Sequence, residues 1–157
     1  MATIHSELGE IDSKDLGFTL MHEHVMVAAS GLSTHYPDLL GPNREQRAID
    51  CLKTAKAHGI DTMLDATTFD LGRDPALLKA VAKASGVNLI NVTGWWLDVP
   101  RFMQGVGANQ MADEFIKDLT AGFRGTDIKA GMLKCAADFE GVTPPLDTMA
   151  RAVARPH

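Results

Sequence analysis

The chain has 157 residues, of which 45% are hydrophobic and 22% are charged. This length suffices for one hydrophobic core and is short for two, so a single domain over residues 1–157 is expected. The formal net charge of -5 provides no basic surface for nucleic acid or for an anionic membrane, and neither is expected as a partner.

Cysteine usage and the N-terminal sequence indicate the compartment. The two cysteines, Cys51 and Cys135, each lie in an apolar segment, so neither a disulfide framework nor a thiolate metal site is expected. Cys135 is predicted to be a small buried residue. Residues 1–17 are polar and lack the apolar stretch of a secretory signal, and no segment has the length of a membrane span. A cytoplasmic location is therefore expected.

Strand and helix signals alternate along the chain. A polar lead-in predicts a short hairpin around Gly9 and Glu10. Strands are then expected at residues 18–21, 62–66, 87–92 and 130–136. Each is followed by a predicted helix, at residues 43–59, 74–86, 110–123 and 143–155. Asn43 and Asp74 are predicted N-caps, the second with a proline at the first helical position.

Four successive strand–helix units require a parallel sheet covered by helices. Two architectures satisfy this pattern. One is an open doubly wound sheet, and the other is half of an eight-stranded TIM-type barrel, whose usual size of about 250 residues exceeds this chain. Composition alone does not choose between them. In both, functional side chains gather at the carboxyl ends of the parallel strands.

Two histidines occupy the end of the first of these strands. Because side chains alternate across a strand, His22 and His24 are expected on one face and Glu23 on the other. The two imidazoles would form a metal clamp, since catalytic zinc sites typically use three protein ligands and leave one position open. A surface pair at a loop edge is the competing interpretation.

The fourth strand contains a lysine inside an apolar run. Lys134 lies between Met132-Leu133 and Cys135-Ala136, where a buried charge is unusual. In one interpretation its stem packs and its ammonium reaches water. In the other, desolvation favours the neutral amine, which reacts with carbon dioxide to give a carbamate that bridges two metal ions as a carboxylate would.

Four segments resemble motifs of the phosphotriesterase family, within the amidohydrolase superfamily. Residues 17–24 (GFTLMHEH) are similar to the family's opening metal motif. Residues 67–74 (TTFDLGRD) and 93–96 (TGWW) resemble the segments after its second and third strands, and residues 130–134 (AGMLK) resemble the strand with its carbamylated lysine. The resemblance implies an α/β fold, the first half of a TIM-type (β/α)8 barrel preceded by a short N-terminal hairpin.

The resemblance also implies a site and an activity. His22 and His24 would bind the more buried of two divalent ions, most simply zinc, and Lys134, carbamylated by carbon dioxide, would bridge both. Trp96 and Leu97 would line the pocket for the substrate or its leaving group. The competing interpretation of Trp96 is a bulky residue of the core or an anchor of its loop. Family members hydrolyse organophosphate triesters, lactones or related small esters through a metal-bridging hydroxide.

The chain departs from the family pattern in its metal ligands. The family draws two further histidines and an aspartate from later strands, and this sequence does not supply them. His157 directly follows the last helix, so no ligand role is expected for it. Weak or absent turnover is predicted for this chain alone. Uncovered sheet edges predict association with another chain, for example as a homodimer.

Three interpretations remain open on the sequence. The first is a metal-dependent ester hydrolase, and the second is a non-catalytic half-barrel stabilised by association with another chain. The third is a small doubly wound binding domain, in which Lys134 would face the helices, away from His22 and His24.

Overall fold

The computed structural model describes residues 2–97 and 99–156, so His157 lies outside the described residues. The strands are β1 (Thr3–Ser6), β2 (Gly9–Asp12), β3 (Thr19–Glu23), β4 (Thr62–Asp65), β5 (Asn88–Gly94) and β6 (Met132–Lys134). The α-helices are α1 (Leu32–His35), α2 (Arg44–Ala57), α3 (Pro75–Ser85), α4 (Ala108–Thr120) and α5 (Pro144–Val153). Within this described part, every helix is too short or too polar to cross a lipid bilayer.

The strands form two sheets. β1 and β2 make the predicted hairpin, but its turn is at Glu7 and Leu8, with Ser6 opposite Gly9. The other four strands form a parallel sheet in the order β3-β4-β5-β6, with helices between successive strands. Strand order follows chain order without the reversal that defines a doubly wound sheet. The predicted half-barrel with an N-terminal hairpin is therefore confirmed.

Side chains on the sheet alternate between a helix-covered outer face and an inner face. On the outer face, Met63 and Leu89 pack into a cluster that includes residues of α2 and α3. On the inner face, Leu64, Ile90 and Val92 pack against Ile4 and Leu16, which precede the sheet in the chain. The N-terminal segment thus covers part of the inner face. A further cluster joins α4 and α5 around Met111 and Met149.

Helix capping is predicted correctly at α3 and incorrectly at α2. The Asp74 carboxylate accepts a hydrogen bond of 3.1 Å from the Leu77 amide, and Gly86 ends the helix in a left-handed conformation. Asn43 itself has a left-handed φ of 56°, and its side chain makes no capping hydrogen bond. An N-cap side chain reaches its helix from extended backbone, which explains why Asn43 does not cap α2.

The predicted burial of two residues near β6 is wrong. β6 ends at Lys134, and Cys135 is exposed instead of packed in the helix layer. Cys135 lies beyond the end of β6, and the Ala136 amide that follows it donates to the Trp96 carbonyl at 3.1 Å. Met132, which the apolar run around Lys134 predicted to be buried, is 39% exposed. It precedes Leu133, which packs on the outer face, so strand alternation turns Met132 to the inner face.

The close approach of β5 and β6 depends on a glycine. Gly94 lies opposite Lys134 in the parallel register and has a φ of +103°. A Cβ atom on Gly94 would lie 2.0 Å from the Lys134 carbonyl oxygen. No side chain fits this position without moving the end of β6.

The hairpin turn inserts a carboxyl group into the protein. Glu7 is 2% exposed, and its amide donates to the Leu89 carbonyl at 2.8 Å. Its side chain accepts a hydrogen bond from the Asn91 amide group. Burial raises the pKa of Glu7 from 4.5 to about 7, against the opposing effect of the Asn91 hydrogen bond. Glu7 is therefore the buried acid that couples hairpin docking to pH.

We predict that Glu7→Gln flattens the pH dependence of stability. In the wild-type protein, the proton held by folded Glu7 contributes fully below pH 4.5, and this contribution is lost as pH rises through about 7. The loss corresponds to about 3 kcal/mol of unfolding free energy. Urea unfolding from pH 4 to pH 8 should show a fall that is smaller by this amount in Glu7→Gln. Glu10→Gln, at an exposed position, is the control, and identical curves for all three proteins would refute the prediction.

We predict that Gly94→Ala destabilises the protein far more than Gly105→Ala. Gly105 has a φ of +83° with open space at the Cβ position, so alanine there adds backbone strain alone, about 1 kcal/mol. At Gly94 the collision with Lys134 adds to this strain, and a loss of about 3 kcal/mol or more is expected. Urea denaturation measures both variants. Equal losses of unfolding free energy in the two variants would contradict the prediction, because they would mean that β6 moves away from the new Cβ atom at no cost.

Candidate metal centre

The carboxyl ends of the four parallel strands bring the predicted donors to one edge of the sheet. His22 belongs to β3, His24 follows it directly, and Lys134 ends β6. Lys134 Nζ lies 3.1 Å from His22 Nε2. The imidazole centroids of His22 and His24 are 5.5 Å apart. The three side chains therefore converge, and a doubly wound arrangement with Lys134 turned to the helices is contradicted.

The His22 and His24 rings lie close together although the pairing of β3 is irregular. The register between β3 and β4 shifts between Leu20 and Glu23, so uniform alternation does not hold across this segment. Beyond the shift, the Glu23 carbonyl accepts a hydrogen bond of 2.8 Å from the Ala66 amide. This bond ties the segment between the histidines to the end of β4. Both histidines remain exposed on their open side.

Lys134 is half-buried and directed to the inner face. Its ammonium group donates to the Ala66 carbonyl at 3.2 Å, in addition to its contact with His22. Burial lowers the pKa of Lys134, while the negative charges of Asp70 and Asp65 oppose this effect. The net direction favours the neutral amine, which is the form that reacts with carbon dioxide.

The segment after β5 is held by the carboxylate of Asp70, for which the sequence predicted no role. The Asp70 carboxylate accepts hydrogen bonds from the Trp96 amide, at 3.3 Å, and from the Thr68 hydroxyl, at 2.5 Å. Trp96 is 43% exposed, whereas its neighbour Trp95 is buried and stacks edge-on against Phe115. Trp95 is thus the tryptophan that anchors this loop, and the indole of Trp96 is left partly open.

Leu97 lines a cleft that is separate from the two histidines. It lines a small cavity of about 210 Å³ together with Phe139 and Leu146. In the described part of the chain, the residues lining this cavity include neither histidine of the metal motif. The substrate-binding roles of Trp96 and Leu97 stay predictions.

Two buried polar residues behind His24 also escaped the sequence analysis. Thr67 Oγ1 lies 2.9 Å from His24 Nδ1, and the Thr67 amide donates to Asp65 Oδ1 at 2.9 Å. Burial raises the pKa of Asp65, and burial lowers the pKa of His24 against the attraction of the Asp65 charge. The only sequence signal was an aspartate at the end of a buried strand.

The donor set suits a divalent metal ion only if Lys134 changes its chemistry. Among residues 2–97 and 99–156, no three His, Cys, Asp or Glu side chains are grouped closely enough to hold a metal ion. His22 and His24 supply two imidazoles, and an unmodified lysine competes with a cation. As a carbamate, Lys134 would add oxygen donors, and a nitrogen and oxygen set fits zinc.

Comparisons with known proteins identify the family of this chain. The family model described as Phosphotriesterase family matches residues 2–157. A phosphotriesterase homology protein of Mycobacterium tuberculosis is 38% identical over 168 aligned residues, which cover 100% of this chain and 52% of that protein. An aryldialkylphosphatase of Saccharolobus solfataricus is 39% identical over 92% of this chain and 47% of that protein.

A solved structure has the same fold. The phosphotriesterase from Mycobacterium tuberculosis superimposes with a TM-score of 0.91 at 38% identity, covering 99% of this chain and 52% of that chain. The present chain spans about half the length of the relatives it matches. On the family match and the shared fold, this chain belongs to the phosphotriesterase family, a family of hydrolases.

Proposed function

We propose that this chain contributes a metal site to the hydrolysis of organophosphate triesters, lactones or related esters. The observation that carries the proposal is the convergence of His22, His24 and Lys134, with Lys134 Nζ 3.1 Å from His22 Nε2. Two imidazoles beside a lysine of lowered pKa are the groups that a carbamate-bridged centre needs. Family membership supports the hydrolase class, whereas the ester substrates are part of this proposal.

The proposed modification of Lys134 is a simple addition. The neutral amine attacks the carbon of carbon dioxide, a nitrogen–carbon bond forms, and one carbon–oxygen π bond becomes a lone pair on oxygen. A proton leaves the nitrogen for water, and the product is a carbamate anion. The Ala66 carbonyl, now 3.2 Å from Nζ, would accept the N–H that remains. Lysine thereby gains two oxygen donors while keeping one hydrogen bond.

The residues of this chain would then divide the work of the site. His22 and His24 would hold the more buried ion, and the Lys134 carbamate would reach both ions. When bound, the two ions would polarise the ester and lower the pKa of an attacking water. Trp96 and Leu97 would contact the substrate or leaving group. Asp70 would fix the start of this loop through the Trp96 amide.

A second candidate function is a non-catalytic half-barrel that associates with another chain, with a homodimer as the simplest form. It is favoured by large apolar side chains that are exposed to solvent in the described part of the chain. Phe18 is 62% exposed, Met21 is 59% exposed and Met132 is 39% exposed. β3 and β6 are the edge strands of the sheet, and uncovered edges favour pairing.

We predict that bicarbonate tightens zinc binding through Lys134. Calorimetric titration of zinc into metal-free protein should show an affinity at least about tenfold higher with bicarbonate than in its absence, because the carbamate replaces a repelling cation with oxygen ligands. Lys134→Met should lose this dependence. Lys83→Met, at an exposed position on α3, should retain it. An affinity that ignores bicarbonate in the wild-type protein would exclude the carbamate.

We predict weak or absent turnover by this chain alone. The described residues supply two imidazoles and one lysine, which leaves a second ion poorly held. Assays of a triester and a lactone, with zinc and bicarbonate, should give turnover well below about 1 s⁻¹, the low end of ordinary enzymes. Light scattering on the same sample tests the second candidate. A metal-independent dimer supports it, and a monomer with normal turnover contradicts both expectations.

A further inference from the structure

His24 is backed by a short chain of buried polar groups. Thr67 and Asp65 are each 1% exposed, and they lie at the carboxyl end of β4. The Thr67 hydroxyl is 2.9 Å from His24 Nδ1, and the Thr67 amide donates to Asp65 Oδ1 at 2.9 Å. These contacts are made on the side of the imidazole that faces into the protein.

The hydrogen of the Thr67 hydroxyl decides which ring nitrogen of His24 has a free lone pair. A hydroxyl has one hydrogen to donate and lone pairs that accept. If Thr67 donates to Nδ1, the proton of the neutral imidazole lies on Nε2, which then cannot bind a metal ion. If Nδ1 carries the proton and donates to Thr67, Nε2 is free, and the Thr67 hydroxyl needs its own acceptor.

The interior offers acceptors for that hydroxyl. Thr67 Oγ1 lies 3.5 Å from the Met26 carbonyl oxygen. Asp65 is adjacent, and an ionised carboxylate only accepts hydrogen bonds. Its Oδ2 is buried and has no hydrogen-bond partner among the described residues. The Met26 carbonyl can take the hydroxyl hydrogen, and the negative charge of nearby Asp65 favours the same inward direction, so Thr67 is left to accept from His24.

We propose that Thr67 and Asp65 are positioning residues that hold His24 with its proton on Nδ1 and its Nε2 free for a cation. This inference rests on the proposed metal-binding function. The parallel sheet holds Asp65 in place, because Asp65 is paired in register with both Glu23 of β3 and Asn91 of β5. His24 follows β3 on an exposed segment, and the hydroxyl fixes both the tautomer and the orientation of its ring.

Two substitutions at Thr67 separate the hydroxyl from the volume of the side chain. Thr67→Val keeps the shape and removes the hydroxyl, whereas Thr67→Ser keeps the hydroxyl. Thr93→Val is the matched control, because Thr93 is equally buried and donates to Asp118 at 2.6 Å, in a contact that does not involve His24. All three change a buried threonine, but only Thr67→Val removes the hydrogen-bond partner of His24.

Nitrogen NMR of metal-free protein at pH 8 reports the tautomer of His24, and zinc titration reports affinity. The wild-type protein, Thr67→Ser and Thr93→Val should have the proton on Nδ1. Thr67→Val should gain the other tautomer and bind zinc about 10- to 100-fold more weakly. Asp65→Asn, which removes the negative charge near the Thr67 hydroxyl, should shift the tautomer in the same direction.

Two results would overturn the inference. One is a wild-type protein with the His24 proton on Nε2, and the other is a folded Thr67→Val with unchanged tautomer and unchanged zinc affinity. The wild-type spectrum decides the first point even if Thr67→Val does not fold. A wild-type protein that binds no zinc but has the proton on Nδ1 would contradict the proposed function and leave the hydrogen-bond assignment supported.

Discussion

The 3.1 Å approach of Lys134 to His22 depends on the curl of the parallel sheet. β3 and β6 are separated by two strands, and strands three positions apart in a flat sheet would lie roughly 14 Å from each other. The side chains meet because the sheet curls, as in the half-barrel of the family structure, and because both point to the inner face. Curvature is thus the condition for any joint chemistry of these residues, and Gly94 permits the last pairing that completes it.

Polar groups occupy positions where stability alone would favour apolar ones. Asp65 and Asn91 are paired in register in the middle of the sheet, and each is 1% exposed. Burying such groups costs free energy unless they are hydrogen-bonded, and each retains a buried oxygen without a partner among the described residues. The two groups have different partners. Asn91 binds Glu7 of the hairpin, whereas Asp65 supports Thr67 behind His24.

Local sequence patterns predicted the strands and helices, but they did not predict the contacts between distant segments. Apolar spacing and the Asp74 cap indicated the strand–helix units, and the motif resemblance brought His22, His24 and Lys134 together. The apolar run at residues 130–136 could not reveal that β6 ends at Lys134, because strand length depends on pairing with β5. The contact of His24 with Thr67 joins residues 43 positions apart, and no local signal encodes it. Glu7 escaped for the same reason, since its partner Asn91 is 84 positions away.

We propose that His22, His24 and Lys134 together hold a divalent ion at the carboxyl edge of this sheet. Anomalous diffraction at the zinc edge, from crystals grown with zinc and bicarbonate, tests it most directly. We expect a zinc peak about 2.0–2.1 Å from Nε2 of both His22 and His24, with carbamate density on Lys134. A peak bound elsewhere, or unmodified Lys134 with no zinc beside the imidazoles, would contradict it.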